Sequence, residues 1–226
     1  MAAAKHTSTD LFNLKPNIWK KKKQPDRGSV SYCQGSSGDR KRSFRFSSST
    51  SWTPSMPMKE LLECKHPMAW IEFEKGLIDE EELARNFFID GRHFDLEGIK
   101  DCMRSGYSYL DGMQELLQNL AAHNFEIHAF TNYPIWYNMI EDKLKLSDYL
   151  SWTFCSCNAG KRKPDPEFYL EVVRHLGVEP CHCIFIDDRP ANVKCAIEIG
   201  MGGLCFENAV SLAKDLTHLG INVSVS

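Results

Sequence analysis

The chain has 226 residues, 42% of them hydrophobic, so its length supports one sizeable core with some residues left over. No apolar run approaches the roughly 20 residues that a membrane-spanning helix needs, so the sequence predicts a soluble protein with no membrane partner. The formal net charge of −3 is the sum of two regions of opposite sign.

The amino-terminal region is basic and rich in serine. Residues 1–58 carry 11 Lys and Arg against 3 Asp and no Glu, whereas the remainder carries 16 against 27. Such a leader is typical of an organellar transit peptide, so we predict that residues 1–56 are a transit peptide and disordered segment that directs the protein to the plastid stroma. A basic arm for nucleic acid is the alternative, but no groove-reading motif accompanies the lysines, and we expect no nucleic acid partner.

Residues 57–108 have helical and local signals. Asp79 with Glu82 three residues later predicts a capping box, and Asp95 is a second candidate N-cap. We therefore predict a small helical cap over this range.

Residues 109–226 alternate between strand and helix patterns. Asp111 and Asp165 are predicted N-caps, and "FEIHAF", "WTFCSC", "CIFID" and "GGLCFE" are short apolar strands between the helices. Strands of this kind that alternate with helices are typical of a parallel sheet buried on both faces. The sequence predicts an α/β fold with a doubly wound parallel sheet.

Polar residues follow three of these strands, at the edge where such a sheet binds its ligand. They are Thr131 and Asn132 after the first strand, Lys163 after the second, and Asp187 and Asp188 after the third. The hydroxyl and the lysine suit a phosphate group, and the two carboxylates suit Mg²⁺. Taken singly, each has another interpretation: a strand-end turn, a solvated loop lysine, or caps of the following helix.

The stretches "AFTNYP", "GKRKPDPEFYLEVVRHLG" and "CIFIDDRPANVKCAIEIG" resemble the second, third and fourth motifs of the haloacid dehalogenase-like hydrolase superfamily. This resemblance implies a Rossmann-like core in which Thr131 binds phosphate, Lys163 stabilises a phosphoaspartyl intermediate, and Asp187 holds Mg²⁺ with Asp188 beside it. Residues 57–226 are further similar to plant plastid flavin mononucleotide hydrolases of this superfamily. The implied substrate is a small phosphate monoester, flavin mononucleotide.

The first motif of that superfamily, an apolar strand that ends in a nucleophilic aspartate, is missing. Residues 40–58 contain no acidic residue. Read one nucleotide out of frame, "FRFSSSTSWTPS" permits Pro-Val-Leu-Leu-Phe-Asp-Ile-Met-Asp-Thr-Ile, which is an apolar strand ending in aspartate. We hypothesise that residues 44–55 are a frame-shifted reading of the nucleophile segment, and we expect the sheet to lack its central strand.

The sequence thus predicts an enzyme, a Mg²⁺-dependent phosphatase acting on flavin mononucleotide, that is impaired in this chain. A sugar phosphate or another flavin-pathway phosphate is an alternative substrate. Binding of phosphate without turnover, in a regulatory protein, is an alternative function. Tyr133 and Trp136 either stack on a flat ring of the substrate or belong to the core, and the helical pattern favours the core.

Overall fold

The computed structural model describes residues 18–22, 32–33, 63–123 and 125–225, the first two ranges as backbone strands. The serine-rich segment 44–55 lies outside these ranges, and so does most of the predicted transit peptide. Within the described part, no helix is both long and apolar enough to cross a bilayer.

Three helices form a module over residues 63–106, which we call the helical module: α1 (Ala69–Glu74), α2 (Glu80–Asn86) and α3 (Leu96–Gly106). The capping box that Asp79 and Glu82 predict is confirmed, because each side chain bonds to the backbone N–H of the other. Asp95 is also confirmed as an N-cap. Local sequence signals therefore place these helix starts correctly.

The remainder alternates between helices and strands as predicted. Its elements are α4 (Met113–Ala122), β3 (Phe125–Thr131), α5 (Tyr137–Leu144), β4 (Ser151–Cys155), α6 (Ser156–Ala159), α7 (Pro166–Leu176), β5 (Cys183–Asp187), α8 (Pro190–Glu198), β6 (Gly202–Cys205) and α9 (Ala209–His218). The predicted N-cap Asp165 is confirmed. The prediction that Asp111 is an N-cap is wrong, because the N-cap of α4 is Gly112, in the left-handed conformation at φ 76°.

One sheet contains all six strands, in the order β2-β6-β5-β1-β3-β4, where β1 is Ile18–Lys22 and β2 is Tyr32–Cys33. The pairs β3 with β4, β5 with β6 and β2 with β6 are parallel. β1 lies between β3 and β5 and is antiparallel to both. The four strands predicted from the sequence are therefore parallel to one another, and the central strand runs against them.

The central position of the sheet is thus filled, and our expectation that the sheet lacks its central strand is wrong. Ile18 is opposite Ala129 and Lys22 is opposite Phe125, so the backbone ladder of β3 is completed by β1. Because β1 runs in the opposite direction, its carboxyl end lies at the edge far from Thr131. A strand from the predicted leader segment fills the position, but its carboxyl end lies at the edge opposite to the predicted site.

Candidate active site

Lys163 is at the centre of the site. Its Nζ donates to Asp187 Oδ2 at 2.7 Å and to the carbonyl oxygen of Phe130 at 2.6 Å, and the side chains of both ion-pair partners are 1% exposed. Burial lowers the pKa of Lys163, although the charge of Asp187 opposes this shift. The interpretation of Lys163 as a solvated loop lysine is therefore wrong.

Asn132 fixes the backbone of Lys163 from the neighbouring loop. Its Nδ2 donates to the Lys163 carbonyl oxygen at 2.9 Å, and its Oδ1 accepts the Lys163 N–H at 2.8 Å. Thr131 lies between Phe130 and Asn132, which both bond to Lys163. The loops that follow β3 and β4 are therefore joined beside the predicted phosphate ligands. Binding of substrate by Thr131, Asn132 and Lys163 stays a prediction.

The carboxylate of Asp187 is held by three donors. Oδ2 accepts from Lys163 and from Asn192 Nδ2 at 3.0 Å, and Oδ1 accepts the N–H of Arg189 at 2.8 Å. This last bond lies just before α8, but the N-cap of that helix is Arg189, with no side-chain cap. Asp187 is thus held by Lys163 on one side and by Arg189 and Asn192 at the start of α8 on the other, although it is not the N-cap of that helix.

The donor set can be tested against Mg²⁺, which prefers six oxygen ligands and keeps several waters. Asp187 Oδ1 accepts one of the two hydrogen bonds that its lone pairs allow, so it retains a lone pair for a cation. The half-buried Asp188 follows it directly. Among the described residues no group of three or more His, Cys, Asp or Glu is arranged to hold a metal. Two carboxylates, with waters and phosphate oxygens, fit Mg²⁺.

Sequence reasoning missed four residues of the site, namely Glu74, Ser156, Arg162 and Asn192. Arg162 and Asn192 lie inside two of the quoted motifs, so their position next to predicted site residues could have identified them. Glu74 Oε2 accepts from Arg162 Nε at 3.1 Å and Nη2 at 3.0 Å, and its main-chain oxygen accepts from the Ser156 hydroxyl. No local pattern marks Glu74, because its partners are 82 and 88 residues away.

Tyr133 and Trp136 are buried, which confirms the core interpretation. The Tyr133 hydroxyl pairs with that of Tyr107 at 2.9 Å, and burial raises its pKa well above the ordinary value. Trp136 packs edge-on against Phe73 and Trp70 of the helical module, with ring centroids 5.1 and 5.7 Å apart. Both aromatic residues thus belong to the contact between the module and the sheet.

The chain is similar in sequence to known hydrolases. The sequence profile of haloacid dehalogenase-like hydrolases matches residues 59–200. The chain is 75% identical over 242 aligned positions, 99% of this chain and 98% of the relative, to flavin mononucleotide hydrolase 1 of the Arabidopsis thaliana chloroplast. Because the chain has only 226 residues, at least 16 of those 242 positions are gaps in it.

Solved structures share the fold. A HAD-like family hydrolase of Porphyromonas gingivalis superposes with a TM-score of 0.56 at 20% identity and covers 71% of this chain and 82% of that one. A HAD family enzyme of Bacteroides thetaiotaomicron, solved with magnesium and inorganic phosphate, superposes with a TM-score of 0.51 at 21% identity, over 62% and 75%. With the profile match and the high identity to one relative, these findings show that the chain belongs to the haloacid dehalogenase-like hydrolases.

Proposed function

We propose that this chain carries the binding site of a Mg²⁺-dependent phosphomonoester hydrolase whose substrate is flavin mononucleotide and whose product is riboflavin. The observation that carries the proposal is the buried pair of Lys163 and Asp187, bonded also to the residue before Thr131. The identity of 75% to a chloroplast flavin mononucleotide hydrolase supports this substrate and a plastid location.

Each predicted site residue has a distinct role in this proposal. Thr131 donates its hydroxyl to a phosphate oxygen, and the Lys163 ammonium neutralises charge on the phosphoryl group and on Asp187. Asp187 and Asp188 hold Mg²⁺, which when bound stabilises charge on the phosphoryl oxygens. Residues 57–108 act as a cap that excludes water from the 109–226 core.

Binding without turnover is a second candidate, and the central strand favours it. The superfamily mechanism needs an aspartate at the carboxyl end of the central strand, next to the phosphate. Here β1 is antiparallel to β3 and β5, so that end lies at the opposite edge. At least 16 positions of the alignment with the Arabidopsis relative are gaps in this chain, and residues 40–58 contain no acidic residue. A form that binds the phosphate ester but lacks the nucleophile fits these two observations.

The decisive experiment compares the 226-residue chain with one in which residues 44–55 are replaced by the out-of-frame segment. Riboflavin release from flavin mononucleotide is measured with Mg²⁺ present. We expect the replacement to raise turnover by at least about 10³-fold, the scale on which removal of a nucleophile lowers it. The same insert with asparagine for its first aspartate is the matched control and should remain inactive.

Two further measurements separate the candidates. Ribose 5-phosphate lacks the flat ring, so faster hydrolysis of it than of flavin mononucleotide would favour the sugar-phosphate alternative. Calorimetry with inorganic phosphate and Mg²⁺ tests binding alone. If neither chain releases riboflavin while both bind phosphate, the hydrolase proposal fails and the binding protein remains.

A further inference from the structure

Glu74, the last residue of α1, is a buried carboxylate that the roles proposed above do not use. It lies in the helical module, yet its bonds reach the sheet. Its side chain is 7% exposed, and Oε1 accepts from Trp70 Nε1 at 3.2 Å within the same helix. A charged group so deeply buried has to be compensated, so the identity of its partners is informative.

The partners of Glu74 come from the loops that carry the candidate site. Arg162, directly before Lys163, donates twice to Oε2 of Glu74. The Ser156 hydroxyl donates to the Glu74 main-chain oxygen and accepts the N–H of Tyr133, two residues after Thr131. Arg189, directly after Asp188, adds a positive charge that acts on the same carboxyl. One residue of the module is thus coupled to the loops after β3, β4 and β5.

The backbone geometry allows a close approach at the same place. Gly76, two residues after Glu74, has φ 66°, and a Cβ there would lie 2.2 Å from the carbonyl oxygen of Cys157. A side chain at position 76 would therefore push the end of α1 away from α6.

Stability alone does not explain the pair of Glu74 and Arg162. Burial raises the pKa of Glu74 even though Arg162, Trp70 and Arg189 all act to lower it. Desolvation therefore disfavours the charged carboxylate by more than the favourable interactions with these partners stabilise it, as is common for buried ion pairs. We interpret this ion pair instead as one that fixes the position of the helical module relative to the loop that carries Arg162.

We propose that Glu74 is a positioning residue that, through Arg162 and Ser156, holds the helical module closed over the phosphate loops. The backbone of Lys163 is fixed by Asn132, so the neighbouring Arg162 is a rigid anchor on the sheet side. We call the contact of Glu74 with Arg162 and Ser156 the latch. Breaking the latch leaves the phosphate loops intact but moves the helical module away from the part of the ligand beyond the phosphate. This inference rests on the proposed function.

The test compares two ligands of the 226-residue chain in Mg²⁺: flavin mononucleotide, by flavin fluorescence anisotropy, and inorganic phosphate, by calorimetry. We expect Glu74→Gln to weaken flavin mononucleotide binding about tenfold, which corresponds to about 1.4 kcal/mol, and to change phosphate binding less than about twofold. Arg162→Met should have the same effect, and the double variant should bind no more weakly than either single variant.

Glu171→Gln is the matched control. Glu171 forms an ion pair with Lys161, next to Arg162 in the chain, at 3.0 Å. Both Glu171 and Lys161 belong to the 109–226 core and not to the helical module. Glu171→Gln should leave both affinities unchanged. Equal losses for the two ligands in Glu74→Gln, or no loss for either, would overturn the latch. Failure of the unsubstituted chain to bind phosphate at all would instead overturn the proposed function, and the latch with it.

Discussion

β5 and β1 are neighbours in the sheet, but their amino-acid compositions suit a strand inside a sheet to different degrees. All five residues of β5 are buried and four of them are apolar, as a strand covered on both faces requires. β1, which lies between β3 and β5, has the sequence IWKKK with three lysines. A backbone ladder can thus be completed by a segment whose composition is typical of a solvated surface.

Side-chain bonds also join the site across the position of β1. β3 and β5 are separated by β1 in the sheet, yet Lys163 bonds to Phe130 of β3 and to Asp187 of β5. Asn132 and Asn192 add further bonds from the two sides. Side chains at the carboxyl edge bridge the position that the central strand fills below them.

The largest expected effect is on the site side of this comparison. Lys163→Met leaves the carboxylate of Asp187 buried without its charged partner, which should cost about 3 to 5 kcal/mol of unfolding free energy and abolish phosphate binding. Urea denaturation and calorimetry measure the two effects. Lys161→Met breaks a partly exposed pair nearby in the chain and should cost less than about 1 kcal/mol. Equal stability of the two variants would mean that Lys163 is not buried as described.

The next effect tests the central strand. Lys20 lies in the middle of β1, paired with Ile127 on one side and Ile184 on the other. Lys20→Pro removes a ladder donor there and should cost about 1 to 3 kcal/mol, the range for an acceptor left without its partner inside a fold, seen as a lower melting temperature. In the chain with the out-of-frame apolar segment, we expect that segment to take the central position, so Lys20→Pro should then be neutral. The same loss in both chains would contradict this exchange.

The smallest effect concerns the pH dependence of the module contact. The pKa of Glu74 is raised in the folded state by burial, so folding favours the protonated carboxyl. Its contribution to stability is present at low pH and is lost as the pH rises from the ordinary glutamate pKa through the raised one, by about 1.4 kcal/mol for each pH unit that separates the two. Relative to Glu74→Gln, the unsubstituted chain should therefore lose stability over that window. A parallel pH profile for the two proteins, measured by urea denaturation, would contradict a buried carboxylate.

Local patterns predicted much of this protein because they depend on near neighbours. The capping box at Asp79, the N-caps at Asp95 and Asp165, and the apolar strands β3 to β6 were each readable from a few consecutive residues. The candidate site residues Thr131, Lys163 and Asp187 are predicted by one rule, that the carboxyl ends of parallel strands meet at one edge. The prediction of Asp111 as an N-cap was wrong because Gly112, in the left-handed conformation, occupies the cap position instead.

The amino-acid sequence was enough to predict the α/β class, the order of the four parallel strands along the chain and the residue types at their ends. Three features became visible only in the folded chain: Lys163 is buried against Asp187, Glu74 contacts Arg162, and β1 is antiparallel to its neighbours. These contacts join residues far apart in the chain. Their energy depends on desolvation and on the geometry of both partners, and neither quantity is encoded in a local pattern.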